Sequence, residues 1–175
     1  IPSDWSSDVC SSDLKQLIIE VYLSGLIFNC KGAKEMETEK LIREAFQARR
    51  MAYTPYSHFQ VGAALLTKEG RIYRGCNIEN AAYTPTNCAE RTAFFKAVSE
   101  GEHNFAAIAI VGGAEDAGQL DYCAPCGVCR QVMMEFCEPA TFTIILAKSE
   151  HEYCIYKLEE LFPMGFGPKN LEENI

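Results

Sequence analysis

Three cysteines and one glutamate in this chain have the residue types and spacing of a metal centre with an acid–base partner. Cys88-Ala89-Glu90-Arg91 is answered downstream by Pro125-Cys126-Gly127-Val128-Cys129-Arg130-Gln131. Three thiolates can hold a zinc ion and leave the fourth tetrahedral position open for water, which is the arrangement of a catalytic rather than a structural site. Glu90 lies two residues past the first thiol, close enough to exchange a proton with that water without being a ligand. Arg91 and Arg130 each follow a motif directly and are expected to donate hydrogen bonds to thiolate sulfur, offsetting the negative charge of three thiolates on one Zn²⁺. A structural zinc site would want a fourth close ligand, for which Cys123 is the candidate, although a bystander role suits it better. A redox Cys-x-x-Cys pair would need neither Cys88 nor Glu90.

Chemistry of this kind needs rigid elements behind it, and the hydrophobic pattern supplies them. Thr38 can cap a helix over residues 39–52, with Leu41, Ile42, Ala45, Phe46 and Ala48 as its apolar stripe. Pro55 ends that run. Residues 61–67 and 71–76 read as a hairpin around Glu69-Gly70, and residues 77–87 as a loop rich in Asn, Thr and Tyr that suits a ligand wall. A helix over 89–99 begins at the first thiol motif and one over 127–136 at the second. Unpaired N–H groups and partial positive charge at a helix start lower thiol pKa and favour thiolates. Strands over 106–111, 141–146 and 153–156 and a short helix over 158–162 complete the order α-β-β-α-β-α-β-β-α, with Gly112-Gly113 opening a surface loop that extends to Tyr122. That order implies a mixed sheet with helices on both faces.

Composition narrows the partners. With 175 residues and 48% hydrophobic content, the chain can bury one sizeable core. A net charge of −8 and an isoelectric point near 4.9 weigh against nucleic acid, although a local groove can still be basic. Nine cysteines in a chain of this length do not read as a secreted disulfide scaffold. Cys76, Cys137 and Cys154 stand among apolar neighbours and are expected to be buried thiols, so a reducing cytoplasm fits. The apolar run 17–28 contains Glu20 and is too short to span a bilayer, which takes about 20 apolar residues.

Residues 1–35 differ from the rest. Ser6-Ser7-Asp8 recurs as Ser11-Ser12-Asp13, as a translated sequencing adapter would, and such a segment stays out of fold reasoning. Lys31 to Met36 can be encoded by a purine-rich ribosome-binding tract followed by a start codon. Met36 is therefore expected to be the native start, with residues 1–35 a non-native or disordered extension and 36–175 a single catalytic domain; pyrimidine-rich codons upstream would exclude this. The segment holds five acidic and three basic residues, so the acidic balance survives its removal.

The two thiol motifs also match the zinc deaminase signature, with Cys88 in the position held elsewhere by histidine. Together with Tyr56-Ser57-His58-Phe59-Gln60-Val61-Gly62-Ala63-Ala64-Leu65 and Gly75-Cys76-Asn77-Ile78-Glu79-Asn80-Ala81, residues 36–171 resemble the small, homotetrameric, three-cysteine cytidine deaminases. The resemblance implies a three-layer α/β/α sandwich with a five-stranded mixed sheet, and one zinc ion per subunit on Cys88, Cys126 and Cys129, with Glu90 as the catalytic residue. It implies hydrolysis of cytidine and 2′-deoxycytidine to the uridine forms, with a deaminase for a nucleoside antibiotic such as blasticidin S as the alternative. It further implies that Asn77 and Glu79 bind the ribose 3′-hydroxyl and that Phe59 packs on the pyrimidine. The backbone at Ala89 and the Cys126 carbonyl would contact the base. Ala81 and Tyr83 would line the site, partly from a neighbouring subunit, and Phe166 would cover the base across an interface. Such a protein needs no nucleic acid and no membrane.

Overall fold

The computed structural model describes residues 37–172; the expected extension over 1–35 and the start at Met36 lie outside the described residues. The described chain opens in a helix, α1, over residues 37–49. Leu41, Ile42, Ala45 and Ala48 are its buried stripe. It stops three residues earlier than its pattern suggests, in turns that pair Met51 N with Ala48 O and Ala52 N with Arg49 O.

A hairpin follows, β1 (Phe59–Thr67) and β2 (Ile72–Cys76), turning through Gly70 at φ +87°. Helix α2 (Ala89–Ser99) leads to β3 (Phe105–Ala114), and α3 (Gly127–Phe136) leads to β4 (Thr143–Ala147). The chain closes with β5 (Tyr153–Lys157), α4 (Leu158–Leu161) and α5 (Lys169–Glu172), the last not foreseen from the sequence. The five strands form one sheet in the order β2-β1-β3-β4-β5. Only β3 and β4 run parallel; the other three pairings are antiparallel.

Strand alternation divides the core into two halves, because successive side chains point to opposite faces of a sheet. Ala63, Leu65, Ile108, Ile110, Ile144 and Leu146 face α2 and α3, with Phe94, Phe142 and Met133 filling the space between. Ala64, Ala109, Val111, Ile145 and Ala147 face Leu41, Ile42 and Ala45 of α1. The sandwich has three layers, as expected.

Two glycines set the spacing of those layers. A Cβ on Gly62 would sit 2.1 Å from Ala45 O, and one on Gly75 would sit 2.2 Å from Ala89 O and 2.4 Å from Ala93 N. The backbones of α1 and α2 thus rest directly on β1 and β2, at a distance only glycine permits.

Two expectations need correction. Gly112 and Gly113 are strand rather than loop, because they pair with Val61 and Gln60 and extend β3 to Ala114. Cys76 and Cys154 are half-buried, each lying on or beside an edge strand of the sheet, whereas Cys137 is buried. No helix among the described residues is long and apolar enough to cross a membrane.

Candidate metal centre and active site

Cys88 and Cys126 occupy equivalent places. Each is the residue before a helix, in extended backbone geometry, and its carbonyl accepts the first helical hydrogen bond: Thr92 N to Cys88 O and Arg130 N to Cys126 O, both 3.0 Å. Cys129 lies one turn into α3, where Met133 packs it against α2. The N-termini of α2 and α3 therefore meet, and their unpaired N–H groups and partial positive charge favour thiolate.

The three sulfurs all lie within 4.8 Å of one another, the sole such group among the described residues. Cys88 Sγ and Cys126 Sγ are 3.9 Å apart, and Cys126 Sγ and Cys129 Sγ 3.5 Å. Thiolates about 2.3 Å from a tetrahedral zinc stand about 3.8 Å from each other, so the donor set fits zinc in both chemistry and spacing. The Cys88 thiol is drawn down to about 5, first by the hydrogen bond from Cys129 and then by Arg91. The Cys129 thiol, as donor in that pair, is raised. Cys123 stands outside the group; burial, followed by the charges of Glu90 and Cys88, pushes it up to about 11, and it packs against Gly112 as a bystander.

Glu90 is the second residue of α2 and only 4% exposed. Burial pushes its carboxyl up to about 7, and the Cys88 thiolate adds to the rise. A buried carboxyl that can gain and lose a proton near neutral pH is suited to general acid–base work.

The two arginines do different things. Arg91 Nη2 donates to Cys88 Sγ at 3.7 Å and to Thr86 O at 3.2 Å, as the sequence suggested for thiolate support. Arg130 donates instead to backbone: Nε to Pro125 O at 2.8 Å and Nη1 to Leu161 O at 2.6 Å. Its guanidinium braces the loop that delivers Cys126 against the end of α4.

Of the expected substrate contacts, Glu79 and Tyr83 share a cavity of about 350 Å³ with Tyr56, Ser57 and Thr86. Glu79 Oε2 accepts from Tyr56 N at 3.0 Å and Ser57 N at 3.2 Å, leaving Oε1 outside those bonds. Hydrogen bonds from Ser57 and Tyr56 hold its carboxyl below the ordinary value. Thr86 ties this cavity to the thiols, since its carbonyl and Cys88 share the Arg91 donor. Tyr56, Ser57 and Thr86 received no role from the sequence; two backbone N–H donors aimed at one carboxylate oxygen leave no signal in residue type.

Phe59 lines a separate cavity of about 390 Å³, together with Gly112, Gly113 and Cys123. Asn77 lies between the two. Its Oδ1 accepts from Val61 N at 2.8 Å and its Nδ2 donates to Phe59 O at 2.8 Å, so the amide first stitches the loop to β1. One N–H and one lone pair of that amide stay available. Tyr83, which lines the Glu79 cavity, and His58, next to its lining residue Ser57, hold φ of +58° and +54°, strained backbone. Ala89 is fully buried against β2, while Ala81 is exposed on the loop held by the Asn80–Thr86 bond. Phe166 lines neither cavity; its carbonyl accepts from Gln131 Nε2 at 2.9 Å and its ring is 58% exposed.

Comparison with known proteins agrees with this geometry. The family model for the cytidine and deoxycytidylate deaminase zinc-binding region matches residues 35–145. The cytidine deaminase of Sporosarcina psychrophila is 49% identical over 136 residues, which is 78% of this chain and 96% of that protein. That of Halalkalibacterium halodurans is 48% identical over 138 residues, 79% of this chain and all of that protein. Among solved structures, the cytidine deaminase from Burkholderia pseudomallei superposes with a TM-score of 0.65 at 45% identity, covering 73% of this chain and 97% of that one.

Proposed function

The chain belongs to the cytidine deaminase family, and from that premise we propose that it hydrolyses cytidine and 2′-deoxycytidine to uridine and 2′-deoxyuridine, releasing ammonia, in pyrimidine salvage. The observation that carries this reading is the three-sulfur cluster beside the buried carboxyl of Glu90.

Cys88, Cys126 and Cys129 would hold one zinc ion per subunit, whose Lewis acidity makes water a nucleophile near neutral pH. Glu90 takes a proton from the water that attacks C4 of the base and delivers it to N3. It then moves the second proton to the exocyclic nitrogen as the C4–N bond breaks, so that ammonia leaves and the ring keeps a carbonyl. Arg91 steadies Cys88 through its bond to sulfur, and at Thr86 it keeps the sugar end in register with the metal end.

At the sugar end, Glu79 Oε1 accepts the ribose 3′-hydroxyl while Oε2 stays locked to the Tyr56 and Ser57 amides. The remaining amide capacity of Asn77 completes that contact. Among the described residues Glu79 is the one charged group lining this cavity, which suits a neutral nucleoside and repels a 5′-phosphate. Phe59 offers its face to the pyrimidine, with the backbone at Ala89 and the Cys126 carbonyl at the polar edge.

We infer a homotetramer in which Ala81, Tyr83 and Phe166 reach neighbouring sites. Its support is the large exposed apolar surface around the Glu79 loop. Met51, Tyr53, Ile78 and Tyr83 are 74%, 57%, 45% and 74% exposed, and Tyr53 and Ile78 are bridged through their backbones. Light scattering should give about four times the chain mass of 19.5 kDa, and a monomer would remove this assignment. The seven free thiols among the described residues suit a cytoplasmic location.

The direct test is the ultraviolet absorbance of cytidine with purified protein, beside Glu90→Gln. The expected result is loss of the cytidine band with the parent protein alone, while the variant keeps its zinc and loses about 10²–10⁴ in rate. Turnover of blasticidin S without turnover of cytidine, or substantial activity in Glu90→Gln, would overturn the reading.

A further inference from the structure

We propose that Asn87 is a positioning residue, whose side chain ties the loop that would hold the ribose to the helix that follows the first thiol. It thereby sets how strongly the 3′-hydroxyl counts in turnover. This role rests on the deaminase reading and gives it a residue that is neither a sulfur ligand nor part of the Glu79 cavity lining.

A helix start needs something to fix the angle at which the chain enters it, and the side chain at the cap position commonly does so. The cap residue of α2 is Cys88, whose sulfur belongs to the cluster and makes no cap hydrogen bond. Asn87, just before the cap, instead donates from Nδ2 to Thr92 Oγ1 at 3.1 Å, and Thr92 Oγ1 donates to Cys88 O at 3.1 Å. One hydroxyl can accept and donate in this way, since it has two lone pairs and one proton. The residue before a cap and the fourth residue of the helix are the pair that an apolar staple joins elsewhere. Here the staple is polar. Helix α3 repeats the device: Arg130, its fourth residue, donates from Nε to the carbonyl of Pro125, just before Cys126, at 2.8 Å.

What sets α2 apart is where its staple leads. Asn87 is also one foot of the loop over residues 79–86. It exchanges two backbone bonds with Ile78, both 2.9 Å, and Ile78 stands between Asn77 and Glu79. On the other side, Tyr53 N donates to Asn77 O at 3.0 Å and Glu79 N to Tyr53 O at 2.9 Å. The two proposed ribose residues are thus placed by two neighbours, and Asn87 carries that placement into α2. Arg91 holds the adjacent Thr86 O from the same turn, but it also bonds sulfur, so its loss disturbs both ends. The Asn87 side chain bonds α2 through Thr92, so its loss frees the sugar end alone. The reacting carbon and the 3′-hydroxyl of a nucleoside lie at opposite ends of one small molecule. A loop that drifts relative to the thiols therefore forfeits the sugar contact in the transition state while the base contact persists.

The test compares kcat/KM for cytidine and for 3′-deoxycytidine, which lacks the hydroxyl assigned to Glu79 and Asn77, in the zinc-loaded full chain. Asn87→Ala should lower the cytidine value about tenfold, the loss of one hydrogen bond, and leave the 3′-deoxycytidine value near that of the parent. Thr92→Val removes the same bond from the helix side, while Cys88 O keeps its bond from Thr92 N at 3.0 Å, and should give the same pattern. The two changes together should do no more than either alone. Thr92→Ser keeps the hydroxyl and should restore the parent preference. Zinc affinity, from competition with a chelator, should match the parent in every variant. Equal losses on the two nucleosides, zinc loss in Asn87→Ala, or a Thr92→Val variant with the parent preference overturns this role and leaves the deaminase reading standing. A parent protein that turns over neither nucleoside overturns both.

Discussion

Replacing Gly75 with alanine tests whether the metal centre is held by the direct seating of α2 on β2. The added Cβ would lie 2.2 Å from Ala89 O and 2.4 Å from Ala93 N, both backbone atoms that no rotamer change can move aside. Overpacking costs about 1–3 kcal/mol, and a backbone-to-backbone clash belongs at the upper end. The gain of up to about 1 kcal/mol from a stiffer unfolded chain offsets part of this. A net loss of about 2 kcal/mol lowers the melting midpoint by roughly 4–8 °C for a domain of this size. The helix that must shift carries Cys88 immediately before its first residue and Glu90 in its first turn, so zinc affinity and turnover should fall as well. Gly62→Ala is the control: its Cβ would meet Ala45 O at 2.1 Å, a clash of equal severity on the α1 face. It should cost similar stability and spare zinc. Gly118→Ala, with nothing within 4 Å, should do neither. Calorimetry gives the midpoints and competition with a chelator gives the zinc affinities. If Gly75→Ala kept the parent midpoint and zinc affinity, or if Gly62→Ala lost zinc to the same degree, the seating argument would be wrong.

Three further outcomes follow from the same geometry. Cys126→Ala should lose zinc and, because metal binding is coupled to folding, melt at a markedly lower temperature; full zinc occupancy measured by atomic absorption would remove Cys126 from the ligand set. Arg91→Lys cannot reproduce the donors reaching Cys88 Sγ and Thr86 O, and should lower kcat/KM by about 1.5–3 kcal/mol, roughly tenfold or more, with zinc retained; parent-like kinetics would refute that bridging role. Glu79→Ala should raise KM for cytidine more than it lowers kcat. Because the Glu79 carboxyl lies below its ordinary value of 4.5, its contribution is present above that pH and is lost only on further acidification. KM of the parent enzyme should accordingly show no titration from Glu79 between about pH 6 and 8, and a step there that vanishes in the alanine variant would contradict the assignment.

Much of this arrangement was legible because chemistry and periodicity coincide at the thiols. Residues 89–99 and 127–136 are helical as expected, although neither Cys88 nor Cys126 makes a side-chain cap hydrogen bond. Boundaries slipped where tertiary pairing overrides local preference. Gly112 and Gly113 carry turn chemistry, yet their register opposite Val61 and Gln60 makes them strand. Residues 50–52 keep a helical pattern but leave the helix, and the next residue, Tyr53, donates to Asn77 O, bringing the loop before β1 beside the Glu79 segment. Arg130 was misread for a similar reason: its position after a ligand suggests sulfur, but the carbonyls of Pro125 and Leu161 lie within its reach.

The polar residues of the proposed sugar loop show why roles are harder to read than elements. Asn77 and Glu79 have the donors and acceptors of a hydroxyl site, and each also satisfies backbone that would otherwise be orphaned. Asn77 closes two bonds to β1, and Glu79 receives two amides from residues 56 and 57. These are not competing functions. An amide or carboxylate held by fixed backbone donors presents its remaining lone pairs in one direction, so its ordering cost is met on folding rather than on binding. The same holds at the other end of the site, where the Arg91 bonds to Thr86 O and Cys88 Sγ fix the proposed sugar wall and the thiol with one guanidinium. The family resemblance proposes which groups touch a nucleoside; the backbone each of them also holds is what would make them a site.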